Sequence, residues 1–148
     1  MNTPAESPNL VAVVVDGDHV LLVKHHDRGR WELPAGTLQG GEDALTGLRR
    51  CVGHVTGLVV AVDRLSGVYT SEESGLTLVF LARHVVGQIH LGPGFTACQW
   101  APLGDITHSM LPPIGAEQVQ HAVNGNTQPV IAHHSGNAGA RGRLQVSR

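Results

Sequence analysis

The pattern of apolar and polar positions divides the chain into short strands and two helices. Two runs rich in β-branched and aliphatic residues, Leu10–Val15 and His19–Lys24, flank Asp16-Gly17-Asp18, an arrangement typical of a β-hairpin. Trp31-Glu32-Leu33-Pro34 predicts a short strand that ends at proline. Ala35–Gly41 predicts a glycine-bearing loop that leads into a helix.

The first helix is predicted from Asp43 to Thr56, because apolar residues recur there at intervals of three and four. The stripe predicted to be buried consists of Leu45, Leu48, Val52 and Val55. Gly57 occupies the position at which a left-handed C-terminal cap is expected.

The rest of the chain predicts more strands and a second helix over Gly115–Val123. The further predicted strands are Leu58–Ser66, Gly67–Thr70, Leu76–Val86, Gln88–Leu91 and Ala97–Trp100. We expect residues 10–123 to form one α/β (α+β) domain, a sandwich whose mixed central sheet has one helix on each face. Residues 1–9 predict a flexible leader. Residues 124–148 predict a mostly flexible polar tail with one edge strand at Pro129–Ala132.

Composition narrows the class of protein. The 148 residues are 41% hydrophobic and 15% charged with a formal net charge of −2, which argues against a binder of duplex nucleic acid. No apolar run approaches the roughly 20 residues of a membrane span. The N-terminus lacks the pattern of a signal peptide, so we expect a cytoplasmic protein. Two cysteines are too few for a disulfide framework.

The stretch Gly36–Leu58 resembles the signature of the Nudix hydrolase superfamily. The residues that match it at the required spacings are Gly36, Glu42, Arg50, Val52, Gly57 and Leu58. The flanks Trp31–Gly36 and Gln99–Leu103 are similar to those of the family as well. The resemblance implies a Nudix-type α/β/α sandwich in which Gly36, Glu42, Arg50 and Gly57 shape the loop and helix. It also implies a small-molecule ligand, such as a nucleoside diphosphate derivative.

Three positions of the signature, the Nudix box, depart from the family pattern. Cys51, His54 and Val55 stand where the family has glutamates that bind divalent metal ions and help to activate water. Mg²⁺ requires hard oxygen ligands, which a thiol, an imidazole and an isopropyl group do not supply. The degenerate box therefore predicts no standard diphosphate hydrolysis and no cofactor. We expect Mg²⁺ or Mn²⁺ only under the alternative that the chain is an active hydrolase with a rearranged metal site.

The replacement residues allow several interpretations. Cys51 and His54 are three residues apart on one helix, so they are candidate ligands of a soft metal such as zinc. Cys51 is also a candidate nucleophile with His54 as its base. The alternative is a half-buried cysteine beside a solvated histidine, with Val55 as a core residue.

Candidates outside the box lie in loops and short strands. The resemblance makes Glu73, or its neighbour Glu72, a candidate catalytic carboxylate, as a metal ligand or a general base. Both residues are also typical of a solvated turn. Lys24 and Arg30, with Arg28 and Arg64, are candidate phosphate contacts. Trp31 is either a platform for a base or part of the core.

Three functions remain open after these observations. The chain binds a nucleotide-like or other small ligand without standard hydrolysis, or performs repurposed chemistry in the Nudix cleft. Alternatively, it is an active Nudix hydrolase that cleaves a nucleoside diphosphate linked to another moiety. Homodimers are common in the superfamily, and the sequence does not decide the oligomeric state.

Overall fold

A computed structural model of the chain describes residues 7–106, 110–125, 127–135 and 143–147. The strands are β1 (Asn9–Asp16), β2 (His19–His25), β3 (Trp31–Glu32), β4 (Ala35–Thr37), β5 (Val59–Ser71), β6 (Gly75–Val86), β7 (Phe95–Pro102), β8 (Val130–Ser135) and β9 (Arg143–Ser147). The helices are α1 (Ala44–Thr56), α2 (Leu103–Asp105) and α3 (Pro113–Val123). Most of the predicted leader lies outside the described residues.

The strands form one mixed sheet in the order β3-β2-β1-β6-β5-β8-β9, with β4 on β1 and β7 on β2. β1 runs parallel to β6 and β8 runs parallel to β5, whereas the other pairs are antiparallel. Each face of the sheet carries its own apolar core. Leu48 and Val52 of α1 pack on one face, and Val119 and Ala122 of α3 pack on the other. The predicted sandwich with a mixed sheet is confirmed.

Helix α1 begins and ends where its sequence indicates. Asp43 is the N-cap and accepts a hydrogen bond from the backbone N–H of Thr46, while Gly57 adopts φ 78° as the left-handed C-cap. The predicted buried stripe needs one correction, because Leu45 is 44% exposed. The buried face consists of Gly47, Leu48, Cys51, Val52, Val55 and Thr56. The buried face thus includes Cys51, which the predicted stripe did not contain.

Several strand boundaries differ from the prediction. The two strands predicted over residues 58–70 form the single strand β5, which keeps its pairing with β6 through three register shifts. The strand predicted at Gln88–Leu91 is wrong, because residues 87–92 have no regular structure. The amides of His90 and Gly92 instead donate to the carbonyls of Thr56 and Val55. These two bonds satisfy carbonyls in the last turn of α1 that have no partner within the helix.

The sheet also extends beyond Val123, where one edge strand was expected. Strand β8 pairs with β5 and is covered by β9. Val130 and Ala132 are buried and belong to the core on the α3 side. The described part of the C-terminal segment is therefore integral to the sheet.

Candidate functional site

An ion pair joins the loop after β4 to helix α1. Arg50 donates from Nε to Glu42 Oε2 at 2.7 Å and from a terminal nitrogen to Glu42 Oε1 at 3.0 Å and to the carbonyl of Thr37 at 2.7 Å. The backbone N–H of Gln39 also donates to Glu42. The hydrogen bonds from Arg50, and then that from Gln39, hold the pKa of Glu42 below its usual value. The carboxylate of Glu42 therefore holds this loop in its conformation.

The box glycines are required by close contacts. A Cβ on Gly36 would overlap Sγ of Cys51, so the backbone of β4 lies directly on the cysteine. At Gly57 the positive φ favours glycine, and a Cβ there would lie 2.8 Å from Cβ of His90. Both glycines allow chain segments to pack closely against α1.

The three departures from the family pattern have different environments. Cys51 and Val55 are each only 3% exposed, whereas His54 is exposed to solvent. Burial raises the pKa of the Cys51 thiol, which disfavours the thiolate that a nucleophile or a metal ligand needs. Val55 lies beneath the segment that contains Gly92, whose Cβ position is 3.5 Å from Cα of Val55. Cys51 and His54 therefore do not face a common open space.

These residues do not fit Mg²⁺ or Mn²⁺. Positions 51, 54 and 55 offer a buried thiol, an exposed imidazole and a buried isopropyl group in place of carboxylate oxygens. The two carboxylates nearby in sequence have other partners, since Glu42 binds Arg50 and Asp43 caps α1. The box offers no set of oxygen donors for a hard cation.

An open cleft of about 350 Å³ lies on the face of β4 that is turned away from Cys51 and towards α3. Its lining residues are Asn9, Val11, Arg28, Ala35, Gly36, Thr37, Ser74, Thr77 and Gln118. This volume falls at the lower end of the range for small-molecule sites. The cleft adjoins strand β4, which forms the first part of the predicted Ala35–Gly41 loop, and no residue of α1 lines it. The backbone of Gly36 separates it from Cys51.

Two side chains in the cleft have unused hydrogen-bonding capacity. Arg28 donates from Nε to both carboxylate oxygens of Glu32 at 2.8 Å, and its terminal nitrogens have no partner among the described residues. Gln118 on α3 is only 8% exposed, and its amide likewise has no partner in the described part of the chain. Asn9 is oriented by donating to the carbonyl of Ser74 at 2.9 Å. The cleft therefore combines a guanidinium with the amide of a mostly buried glutamine.

The other sequence-predicted residues lie outside this lining. Lys24 Nζ sits 4.7 Å from the centre of the Trp31 ring, and Trp31 packs against the core on the α3 side. Arg30 is exposed. Glu72 and Glu73 are exposed in the turn between β5 and β6, and Glu73 is followed directly by the cleft residue Ser74.

A cluster of aromatic rings lies beside the cleft. The rings of His121 and His134 both stack on Tyr69 at 5.9 Å between centroids. Burial raises the pKa of Tyr69 and lowers that of His121. The phenol oxygen of Tyr69 lies 2.6 Å from Nδ1 of His121. His134 Nε2 lies 3.4 Å from Glu117. Tyr69 and His134 line a smaller cavity of about 80 Å³ that shares Ser74, Thr77 and Gln118 with the cleft.

Sequence reasoning missed most of the cleft residues. Asn9, Thr77 and Gln118 come from β1, β6 and α3, and none belongs to a recognisable motif. Arg28 was considered only as one of several basic residues. The available signal was a polar residue at a strand position whose neighbours are apolar, as at Asn9 and Thr77.

Comparisons with known proteins identify the family. The sequence model described as the NUDIX domain matches residues 6–122. A MutT-like protein from Streptomyces ambofaciens is 33% identical over 135 residues, which cover 90% of this chain and 86% of that protein. The chain therefore belongs to the Nudix superfamily.

Solved structures show the same fold. A MutT protein from Bacillus halodurans superposes with a TM-score of 0.72 at 19% identity, covering 95% of this chain and 97% of its own. An ADP-ribose pyrophosphatase from Streptococcus suis superposes with a TM-score of 0.68 at 21% identity, covering 86% of this chain and 98% of its own. Within the described residues, we find no helix with the length and apolar character needed to cross a membrane.

Proposed function

We propose that this Nudix protein binds a phosphate-bearing, nucleotide-like small molecule in the cleft between β4 and α3, without hydrolysing it by the metal-assisted route. One observation carries the proposal. The described lining of the cleft holds Arg28 and polar side chains but no carboxylate, while two of the three replaced box positions are buried. Such a lining favours an anion and offers no carboxylate to a hard cation.

The ligand class follows from the groups that line the cleft. The free guanidinium nitrogens of Arg28 suit phosphate oxygens, and the amide of Gln118 can both donate and accept hydrogen bonds, as recognition of a base or a sugar requires. One of the structural relatives is named an ADP-ribose pyrophosphatase, which makes nucleoside diphosphate derivatives the first compounds to test. At about 350 Å³ the cleft suits one part of such a molecule.

Catalytic roles for Cys51, His54 and Glu73 remain predictions, as do ligand contacts from Lys24, Arg30 and Trp31. Among these residues, Glu73 has the position best suited to chemistry, because it precedes Ser74 at the cleft. If turnover is detected, Glu73→Gln is the first variant to assay. Cys51 and His54 would act from outside the cleft and are not needed by the proposal.

Calorimetric titration of the purified protein with ADP-ribose, ADP and ribose 5-phosphate tests the proposal. We expect at least one of them to bind and to raise the melting temperature, since a ligand at 100 times its Kd adds about 2.7 kcal/mol of stability. Gln118→Leu and Arg28→Gln should each weaken binding by about tenfold, the value of one or two lost hydrogen bonds.

Arg83→Gln is the matched control, because Arg83 is exposed and pairs with Asp63 away from the cleft. It should bind as tightly as the unaltered chain. The proposal fails if none of the compounds binds, or if the two cleft variants bind as well as the control.

A further inference from the structure

Three potential metal ligands converge where β2 ends. His25, His26 and Asp27 each place a ligand atom within 4.8 Å of the others. A register shift between Lys24 and His25 interrupts the pairing of β2 with β7, and such irregularities redirect side chains at the ends of strands. These three residues are called the β2-end cluster below. They lie outside the Nudix box and outside the cleft lining.

The hydrogen bond of His26 fixes which of its ring nitrogens is free. Nδ1 lies 2.9 Å from the carbonyl oxygen of Gly94, and a carbonyl can only accept, so Nδ1 carries the hydrogen. Metal-binding histidines commonly donate their other ring N–H to a backbone carbonyl in this way. In the neutral ring, the lone pair on Nε2 then faces Asp27 Oδ1 at 2.8 Å. At this distance the two atoms share either a proton or a metal ion.

His25 contributes a second lone pair to the same region. Its Nδ1 lies 3.9 Å from Asp27 Oδ2. The single lone pair of Nδ1 accepts a hydrogen bond from the backbone N–H of Asp27 at 3.2 Å, so a metal ion bound at this nitrogen would replace that hydrogen bond. The carboxylate of Asp27 is thus placed between one nitrogen from each histidine. Two imidazoles and a carboxylate form a common three-residue ligand set for zinc, which leaves one coordination position open.

The two rings are held in place by their surroundings. They stack on each other at 4.9 Å, and the ring of His25 meets Phe95 edge to face at 5.1 Å. A Cβ on Gly94 would lie 3.0 Å from Nε2 of His25, so glycine allows the rings to rest on the backbone. The turn is closed by a hydrogen bond from the N–H of Gly29 to the carbonyl of His25. A ligand set that is already ordered loses less entropy on binding.

We propose that the β2-end cluster binds a divalent transition metal ion of the Zn²⁺ type through His25 Nδ1, His26 Nε2 and the carboxylate of Asp27. Nitrogen donors favour such ions over Mg²⁺, which prefers oxygen. The site is independent of the proposed ligand cleft, although the next residue, Arg28, lines that cleft. An ion bound here would add positive charge next to the residue that we propose to meet phosphate.

Calorimetric titration of the untagged chain with Zn²⁺ tests this site directly. We expect one ion to bind per chain, and a large excess of Mg²⁺ should not displace it. His26→Ala and Asp27→Asn should each weaken binding by more than about tenfold, since even the loss of an outer-shell partner has that effect. Both side chains are more than half exposed, so the variants should fold, and circular dichroism checks this.

The hairpin turn between β1 and β2 offers a matched control. His19 Nδ1 lies 2.8 Å from Asp18 Oδ1, and within the described parts of the chain this histidine–aspartate pair forms no three-residue cluster with a second imidazole. His19→Ala should therefore bind Zn²⁺ as the unaltered chain does. The proposal is wrong if the chain does not bind Zn²⁺, or if His26→Ala and Asp27→Asn bind it as tightly as His19→Ala. Either of these results would mean that the 2.8 Å contact between His26 and Asp27 is an ordinary imidazolium–carboxylate pair.

Discussion

Gly36 has no room for a side chain because a Cβ there would overlap Sγ of Cys51, which is buried in α1. We expect Gly36→Ala to lower the free energy of unfolding by about 1–3 kcal/mol, as overpacking does. Urea denaturation measures this loss. Gly40 lies in the same loop with nothing within 4 Å of its Cβ position, so Gly40→Ala should change the free energy by no more than about 0.5 kcal/mol. Equal losses in the two variants would rule out the Cys51 contact as the cause.

The pair of Glu42 and Arg50 predicts a dependence of stability on pH. Because Arg50 lowers the pKa of Glu42 below the usual 4.5, the stabilisation is complete above that pH and is lost as the pH falls through the folded-state pKa. Glu42→Gln should therefore unfold more easily than the unaltered chain at neutral pH, and the difference should shrink as the pH falls below 4.5 and Glu42 becomes protonated. Denaturation midpoints across this range measure it.

Asp63→Asn is the control for this pair, since it breaks an exposed contact with Arg83. Surface pairs contribute about 0–1 kcal/mol, so we expect a small effect at neutral pH. A difference between Glu42→Gln and the unaltered chain that does not change with pH would contradict the assignment.

At the scale of elements, local signals predicted the structure best. The Asp-Gly turn placed the hairpin of β1 and β2, and the cap residues Asp43 and Gly57 bounded α1 to within one residue. Predictions failed where contacts between distant parts of the sequence determine the local structure or the burial of a residue. Gln88–Leu91 has strand-like composition, but its backbone pairs with the end of α1. Leu45 has the right spacing for the core, yet its side chain is 44% exposed, and nothing in the sequence indicates this exposure.

The segment around Gly92 covers the end of α1, so Val55 and His54 should differ in how well they tolerate a charged side chain. Val55 is buried beneath the segment around Gly92, so Val55→Glu would place a carboxylate without partners in the interior. We expect it to lower the free energy of unfolding by more than about 2 kcal/mol. The exposed position is the control, and His54→Glu should cost less than about 1 kcal/mol. Both values come from urea denaturation. Equal tolerance of the two glutamates would show that Val55 faces an open site.

At the scale of the whole molecule, strand β8 completes the core on the α3 side. Ala132 is 2% exposed, whereas its neighbour Ile131 is 54% exposed on the other face of the same strand. Ala132→Asp should therefore lower the free energy of unfolding by more than about 2 kcal/mol. Ile131→Asp should change it by less than about 1 kcal/mol. Thermal denaturation of the two variants compares them, and similar melting temperatures would mean that β8 does not belong to the core.

The proposed ligand cleft could not be located from the sequence alone. The box is a continuous stretch, so its residues and their spacing are visible in the sequence. Asn9, Arg28, Thr77 and Gln118 meet only because β1 pairs with β6 and α3 packs across that face of the sheet. The side on which the cleft opens depends on Gly36 lying over Cys51, a contact between residues of different elements.

The central claim is that this Nudix protein binds its ligand without metal-assisted hydrolysis. The most direct measurement incubates the protein with ADP-ribose and other nucleoside diphosphate derivatives in the presence of Mg²⁺ or Mn²⁺, and follows nucleotide and phosphate release together with bound ligand. We predict that a compound binds while its release products stay at the level of the protein-free control. Release that depends on Mg²⁺ or Mn²⁺ at ordinary enzyme rates of about 1–10³ s⁻¹, and that stops when the metal is chelated, would contradict the account.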